Sequence, residues 1–273
     1  MMPRALREPW LWLVALVTAI YVFILGPIAI TTAVSFNETN RSFFPPRGFS
    51  FRWWGEAFAP QWLQPLQFSL ELAAVTALLA TAIGIPLAFA FVRHDFPGKS
   101  LVRAITLGPL ILPTLVTGIA LLQFLTTIGL GRWMGYWALL IGHVIICLPF
   151  SVRTIAISLQ AMPGSVEAAA ASLGASPLRV LRHVTLPLIV PGIFAGMTFA
   201  FIHSFTDINL SLFVAKPGQR PVTVAILSFL DFGFAPTLAA LSIISLLIPL
   251  VLVALLGRFI GIGDFLYREQ GRG

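Results

Sequence analysis

Charge is what this sequence has least of. Only 10% of its 273 residues are Asp, Glu, Lys or Arg, while 58% are hydrophobic; an ordinary soluble domain carries about 25% charged residues. A water-soluble enzyme or binding domain is thereby excluded, and the composition is that of a chain that crosses a membrane several times. Acidic residues are scarcer still, ten against seventeen Lys and Arg. The basic residues are scattered between apolar blocks and form no single face, so they set orientation against anionic lipid and give no nucleic-acid surface. Cysteine is almost absent: Cys147 stands alone in an apolar block, which excludes an intrachain disulfide or a thiolate metal cluster and leaves core filling. No His-Glu-x-x-His, Gly-x-Ser-x-Gly or paired-cysteine pattern occurs, so hydrolytic and metal chemistry have no supporting constellation. Gly98-Lys99-Ser100 mimics the end of a phosphate-binding loop, but Arg93 occupies the position of its first glycine and no strand precedes it, so the chain carries no sign of binding ATP itself.

What the sequence has in quantity is long apolar stretches. Six of them, at residues 10–34, 66–92, 104–128, 133–159, 188–213 and 236–260, reach the length of about 20 residues needed to cross a bilayer. They predict an all-α, polytopic membrane protein with a single transmembrane domain over residues 1–273. Arg4 and Arg7 precede the first stretch, which is too long for a cleavable signal core and reads as an uncleaved span. Residues 35–65 mix Phe and Trp with polar residues and read as an interfacial external loop. Pro109 and Pro113 are placed to break or bend the first half of the third stretch. Gly192 and Gly196 form a small-xxx-small pair that predicts close helix packing. With the N-terminus in the cytoplasm, eleven of the seventeen basic residues fall inside and six outside, the direction the positive-inside rule requires. Both termini are then cytoplasmic.

The chain is organised around residues 160–187. Four alanines after Glu167 favour a helix, Gly174 is a natural stop, and Ser176-Pro177 restarts a second helix with proline at its first position. Leu178, Leu181 and Val184 recur at helical spacing opposite Arg179, Arg182 and His183, and Pro187 is expected to close this helix. An amphipathic helix-turn-helix of this kind either lies at the membrane surface or docks on a partner.

This segment resembles the cytoplasmic EAA loop of ABC-transporter permease subunits, whose pattern is Glu-Ala-Ala, three residues, Gly, nine residues, an apolar residue, one residue, Leu-Pro. Gly174, Val184 and Leu186-Pro187 fit its second half. The glutamate of the pattern falls on Ala168, and Glu167 sits one residue earlier, where it matches the first of two consecutive glutamates common in polyamine-transporting relatives. The resemblance covers most of the chain and is strongest to spermidine/putrescine permeases of the type I importer class. It implies a permease of the bacterial inner membrane that is not itself an enzyme. Glu167, Ala168, Ala169, Gly174, Ala175, Ser176, Pro177, Leu186 and Pro187 would contact the ATPase. Two ATP-binding subunits would hold ATP and magnesium, no cofactor lying in this chain. A second permease subunit, expected as a paralogue and not an identical copy, and an external solute-binding protein would complete the assembly.

The fifth stretch is the most polar, with His203, Ser204, Thr206, Asp207, Asn209 and Ser211. A charge at membrane depth costs about 2.5–3.5 kcal/mol on insertion scales. Asp207 is therefore either a site for a cationic solute or a structural group that caps a helix or pairs with a neighbour such as His203. Asp207, His203 and Asn209 are the candidate path residues. Glu71 and His143 read as lone polar residues that hydrogen-bond between helices. An importer of aminophosphonate, iron or thiamine shares the architecture. A membrane-embedded enzyme would need converging acid, base or metal ligands, and a passive channel would have no use for the cytoplasmic lever.

Overall fold

A computed structural model describes residues 9–230, 233 and 235–259. No strand occurs among them, only an isolated bridge between Lys216 and Gln219. Twelve α-helices are distinguished: α1 (Pro9–Val34), α2 (Arg52–Glu56), α3 (Pro60–Arg93), α4 (Lys99–Leu107), α5 (Thr114–Thr127), α6 (Tyr136–Ala161), α7 (Gly164–Ser172), α8 (Pro177–Val180), α9 (Leu186–Thr206), α10 (Ser211–Val214), α11 (Val222–Leu230) and α12 (Pro236–Phe259). Among the described residues five stretches are long and apolar enough to cross a membrane, and six if a bent pair, Lys99–Leu110 with Thr114–Thr127, is one broken span.

The chain divides into two compact units. Of the described residues, the first comprises those within 9–63 and 228–248. Within α1 the Thr31 and Thr32 hydroxyls donate to the carbonyls of Pro27 and Ile28, so neither adds an unpaired donor to an otherwise apolar helix. The loop that follows is built around the buried side chain of Asn37. Its amide donates to the Arg41 and Phe43 carbonyls, its Oδ1 accepts from the Arg47 N–H at 3.0 Å, and its backbone carbonyl accepts from the Trp53 indole. Phe36 stacks on Phe49 and Trp54, with ring centroids 5.0 and 5.4 Å apart. The aromatic loop is thus ordered by one amide and one stack.

The second unit comprises, of the described residues, 64–227 and 249–259. Its centre is the seam between α6 and α9, where the absence of side chains on one helix admits the other. A methyl group added at Gly192 would lie 2.5 Å from the Ser158 Cβ, and one at Gly196 would lie 2.9 Å from the Ser151 Cα. Gly84 on α3 meets Ser151 in the same way. Small residues thus let three backbones approach closely, as the glycine spacing predicts. Cys147 is buried in this core and its thiol donates to the Ala200 carbonyl.

Several expected boundaries differ. The third stretch starts at Lys99, not at 104, and carries the bend its prolines predict: α4 with a 3-10 turn at Gly108–Leu110 meets α5 at 110°. The fourth helix starts at Tyr136, not at 133, because Gly135 adopts φ +91° and leaves the helical path. Pro187 does not close the loop helix. The preceding turn widens into a π turn at Leu181–Thr185 that absorbs the hydrogen bond a proline cannot make, and Pro177–Thr206 runs on as one stretch. At its far end α9 stops at Thr206, short of the expected 213, and α10 follows after a break. Residue 260, the expected end of the sixth span, lies outside the described residues.

The seam yields a test. Gly196→Val inserts a branched side chain against Ser151 and Thr154 and is expected to cost about 1–3 kcal/mol by overpacking, read as a lower thermal midpoint of the purified protein. Gly98→Ser, where nothing lies within 4 Å but φ is +81°, should shift the midpoint less.

Candidate functional site

The loop between α6 and α9 is fixed by one carboxylate. Glu167 lies in the first turn of α7, where a negative charge is favoured by the exposed N–H groups. Its Oε2 is 3.1 Å from Arg93 Nη2 at the end of α3, and its Oε1 accepts from the Thr185 hydroxyl at 2.7 Å in the π turn. The Arg93 and Glu167 side chains are only 28% and 27% exposed. Glu167 therefore joins α7 to α3 and to the start of α9. Beneath it, Phe89, Ala168, Ala171, Ala175, Pro177, Val180 and Leu181 line a cavity of about 440 Å³.

The turn between the two loop helices is closed by the backbone. Gly174 takes φ +85°, its N–H donates to the Ala171 carbonyl and the Ala175 N–H to that of Ala170. This is a Schellman motif, for which a left-handed glycine is the favoured residue. Beside it, Leu173 is 89% exposed and Leu178 73% exposed. Ala168, Ala169, Ser176 and Pro177 are exposed with them, whereas Glu167, Ala175 and Leu186 are half-buried. Leu178 is marked in the sequence as an apolar-face residue of the second loop helix, and the structure leaves it in the open; Leu173 is not singled out there, and its only signal is its place directly before Gly174.

Lys99 does nothing phosphate-like: its ammonium donates to Asp95 and to the His94 carbonyl, both at 2.8 Å. This contact holds the exposed Asp95 carboxyl below its ordinary pKa and completes the turn into α4.

The polar residues of the fifth stretch separate into two groups. Asp207, Ser204 and Ser211 are buried together with His143 of α6. Asp207 Oδ2 accepts from both the N–H and the hydroxyl of Ser211 at 3.0 Å. That hydroxyl has spent its only proton, so at 2.9 Å it accepts from His143 Nε2. In the neutral ring Nδ1 is then bare and accepts from the Ser204 hydroxyl at 2.7 Å. Asp207 thus caps α10 and reaches His143, with its Oδ2 3.7 Å from Nε2. His203 instead lies against the Phe150 ring, half-buried. Asn209 is exposed and donates to Thr114 of α5 at 3.3 Å. The break after α9 is held further by Thr223, whose hydroxyl donates to the Asp207 carbonyl. Among the described residues no group of three or more His, Cys, Asp or Glu could hold a metal ion.

A double-mutant cycle tests the loop clamp. Arg93→Ala and Glu167→Gln are each expected to destabilise the protein, with a coupling of about 1 kcal/mol for a partly exposed pair, measured by thermal unfolding.

Residues 80–261 match the family model described as the binding-protein-dependent transport system inner membrane component. The chain is 35% identical over 237 residues to the spermidine/putrescine transport system permease protein PotC of Escherichia coli strain K12, covering 86% of this chain and 89% of that one. It is 30% identical to the putrescine transport system permease protein PotI of the same strain, covering 86% and 85%. Its fold is similar to a chain of a bacterial alginate ABC transporter crystallised with an alginate pentasaccharide-bound periplasmic protein, at a TM-score of 0.72 and 18% identity over 94% of this chain and 96% of that one. It is also similar to a chain of the MetNI methionine ABC transporter, at a TM-score of 0.54 and 20% identity over 76% and 94%. With a family match across two thirds of its residues and curated relatives that it covers almost end to end, the chain belongs to the inner membrane components of binding-protein-dependent transport systems.

Proposed function

We propose that this chain is one permease subunit of an ATP-driven importer for polyamines such as spermidine and putrescine. The observation that carries the coupling role is the loop: two leucines stand in the open beside a turn that Glu167 clamps to α3 and to the root of α9. Large apolar side chains exposed at a polar loop mark an interaction surface. A partner ATPase covers them, with Ala168, Ala169, Gly174, Ser176 and Pro177 around them and Leu186-Pro187 behind. ATP and magnesium are bound by that partner, and this chain carries no cofactor. The loop faces the cytoplasm with both termini, as the distribution of basic residues supports.

The relatives named for spermidine and putrescine support the solute. An external binding protein delivers it, two ATP-binding subunits drive the cycle, and a second permease, taken to be a paralogue, encloses the path. Closure of the ATPases pushes the loop, and α9, continuous with it through the π turn, rocks against its neighbours to alternate access. His203 and Asn209 are kept as path residues on α9 and the break after it. Asp207 acts from behind them by holding the break.

Two substitutions test the docking surface. Leu173→Asp is expected to lower co-purification of the ATPase and ATP-dependent spermidine uptake by about tenfold or more, as expected for a lost interface anchor, while insertion of the permease is unchanged. Gly174→Pro removes the N–H that caps α7 and is expected to abolish coupling with the protein still in the membrane. Full uptake in either variant would contradict the docking role.

A further inference from the structure

Arg132 and Lys216, 84 positions apart, meet at the start of α6, the end remote from the clamped loop. The Lys216 ammonium donates to the Arg132 carbonyl at 3.2 Å, and with Tyr136, Trp137 and Gln219 the two residues line a cavity of about 510 Å³. Gln219 Oε1 accepts from the Tyr136 N–H at 3.0 Å, so its own amide N–H groups remain to donate. Lys216 and Gln219 face each other across a tight turn, the backbone N–H of each donating to the carbonyl of the other. Gly135, at φ +91°, makes room for this turn, since a Cβ there would fall on Gln219 Oε1.

The lining holds two cations and no carboxylate, and among the described residues neither cation has an ion pair. Both belong to the six basic residues on the outer side, where the charge rule disfavours them; an anion that meets them accounts for their placement. Trp137 of the cavity wall lies 6.1 Å from Trp133, ring to ring, and both are exposed. Indole rings gather at the headgroup level of a bilayer. From Trp137, Ile141 and Ile145 follow at intervals of four, each 40% exposed, so an open apolar stripe runs down α6 from the cavity.

A guanidinium, an ammonium and an amide donor converging on one cavity are the groups that hold a phosphate, by charge-assisted hydrogen bonds. We propose that this cavity seats the headgroup of an anionic phospholipid, its phosphate held by Arg132, Lys216 and Gln219 and an acyl chain lying along Trp137, Ile141 and Ile145. A carboxylate of a soluble partner would satisfy the cations but leave the stripe open; a lipid covers both. The outer placement rests on the orientation proposed above, whereas the site itself rests on neither that orientation nor the identity of the solute.

The test uses the assembled transporter in detergent, titrated with dioleoyl phosphatidylglycerol or dioleoyl phosphatidylcholine, with bound lipid counted by native mass spectrometry. The unaltered transporter should retain the anionic lipid in preference; equal retention of the two overturns the site. Arg132→Gln and Lys216→Gln should each weaken phosphatidylglycerol binding about fivefold and the pair tenfold or more, as expected for basic groups facing an anionic headgroup. Lys216→Arg should keep it, and Arg41→Gln, on the aromatic external loop, should change nothing. Undiminished binding in the paired variant, or an equal loss in Arg41→Gln, overturns the site. Excess inorganic phosphate should displace no more lipid than chloride of equal ionic strength; greater displacement would mark a free-anion site and overturn the lipid. A paired variant that loses affinity for the external binding protein while its lipid count is unchanged would assign the two cations to that protein, and the proposal would fall.

Discussion

The contact between Glu167 and its two partners, Arg93 and Thr185, is what gives the rest of the structure its mechanical meaning. The carboxylate receives a guanidinium from the end of α3 and a hydroxyl from the π turn that opens the last long stretch of the second unit. Without it the loop between α6 and α9 would be two short helices on a glycine hinge. With it, a force applied at the exposed leucines acts on α3 and α9 together. The clamp also leaves Glu167 half-buried against α3 and the π turn, while the apolar tip of the loop stays exposed.

From that root the coupling continues by packing. The stretch from Pro177 to Thr206 stays helical through the π turn, and Gly192 and Gly196 seat it against Ser151, Thr154 and Ser158 of α6. Interfaces this close resist bending, because a small displacement meets backbone and not the end of a flexible side chain. At the opposite end, the His143, Ser204, Ser211 and Asp207 network ties α6, α9 and α10 across the break where α9 stops. In the proposed importer, motion at the loop is delivered to a segment whose polar groups are already satisfied, so it carries its own hydrogen bonds as it moves.

Much of this was legible in the sequence where a single segment determines the outcome. Length and hydropathy mark an apolar stretch, alanines and a left-handed glycine mark a helix and its stop, and two glycines one turn apart mark a seam. What could not be read were choices that depend on a remote neighbour. Arg93 is 74 positions from Glu167, and His143 is 61 and 68 positions from the serines it joins. Periodicity reports which face of a helix is apolar but not which helix will meet it. Pro187 was expected to end a helix because proline lacks a donor; a wider turn before it removed that need, and Thr185, at the end of that turn, is the residue that binds Glu167. Asp207 was legible as a costly charge, yet whether it faces the path or the core depended on a histidine in another helix.

The central claim is that the loop and α9 move as one body. Spin labels at Ser165 of α7 and Phe199 of α9, both exposed, in a Cys147→Ala background would report the distance between the loop and α9 in the assembled transporter with and without ATP. An unchanged distance across the cycle, while the distance from Ser165 to a label on the second permease shifts, is the predicted result. A change between 165 and 199 of about one helical turn, 5.4 Å, would show that the loop flexes on its own, and would contradict the clamp as the element that transmits the motion.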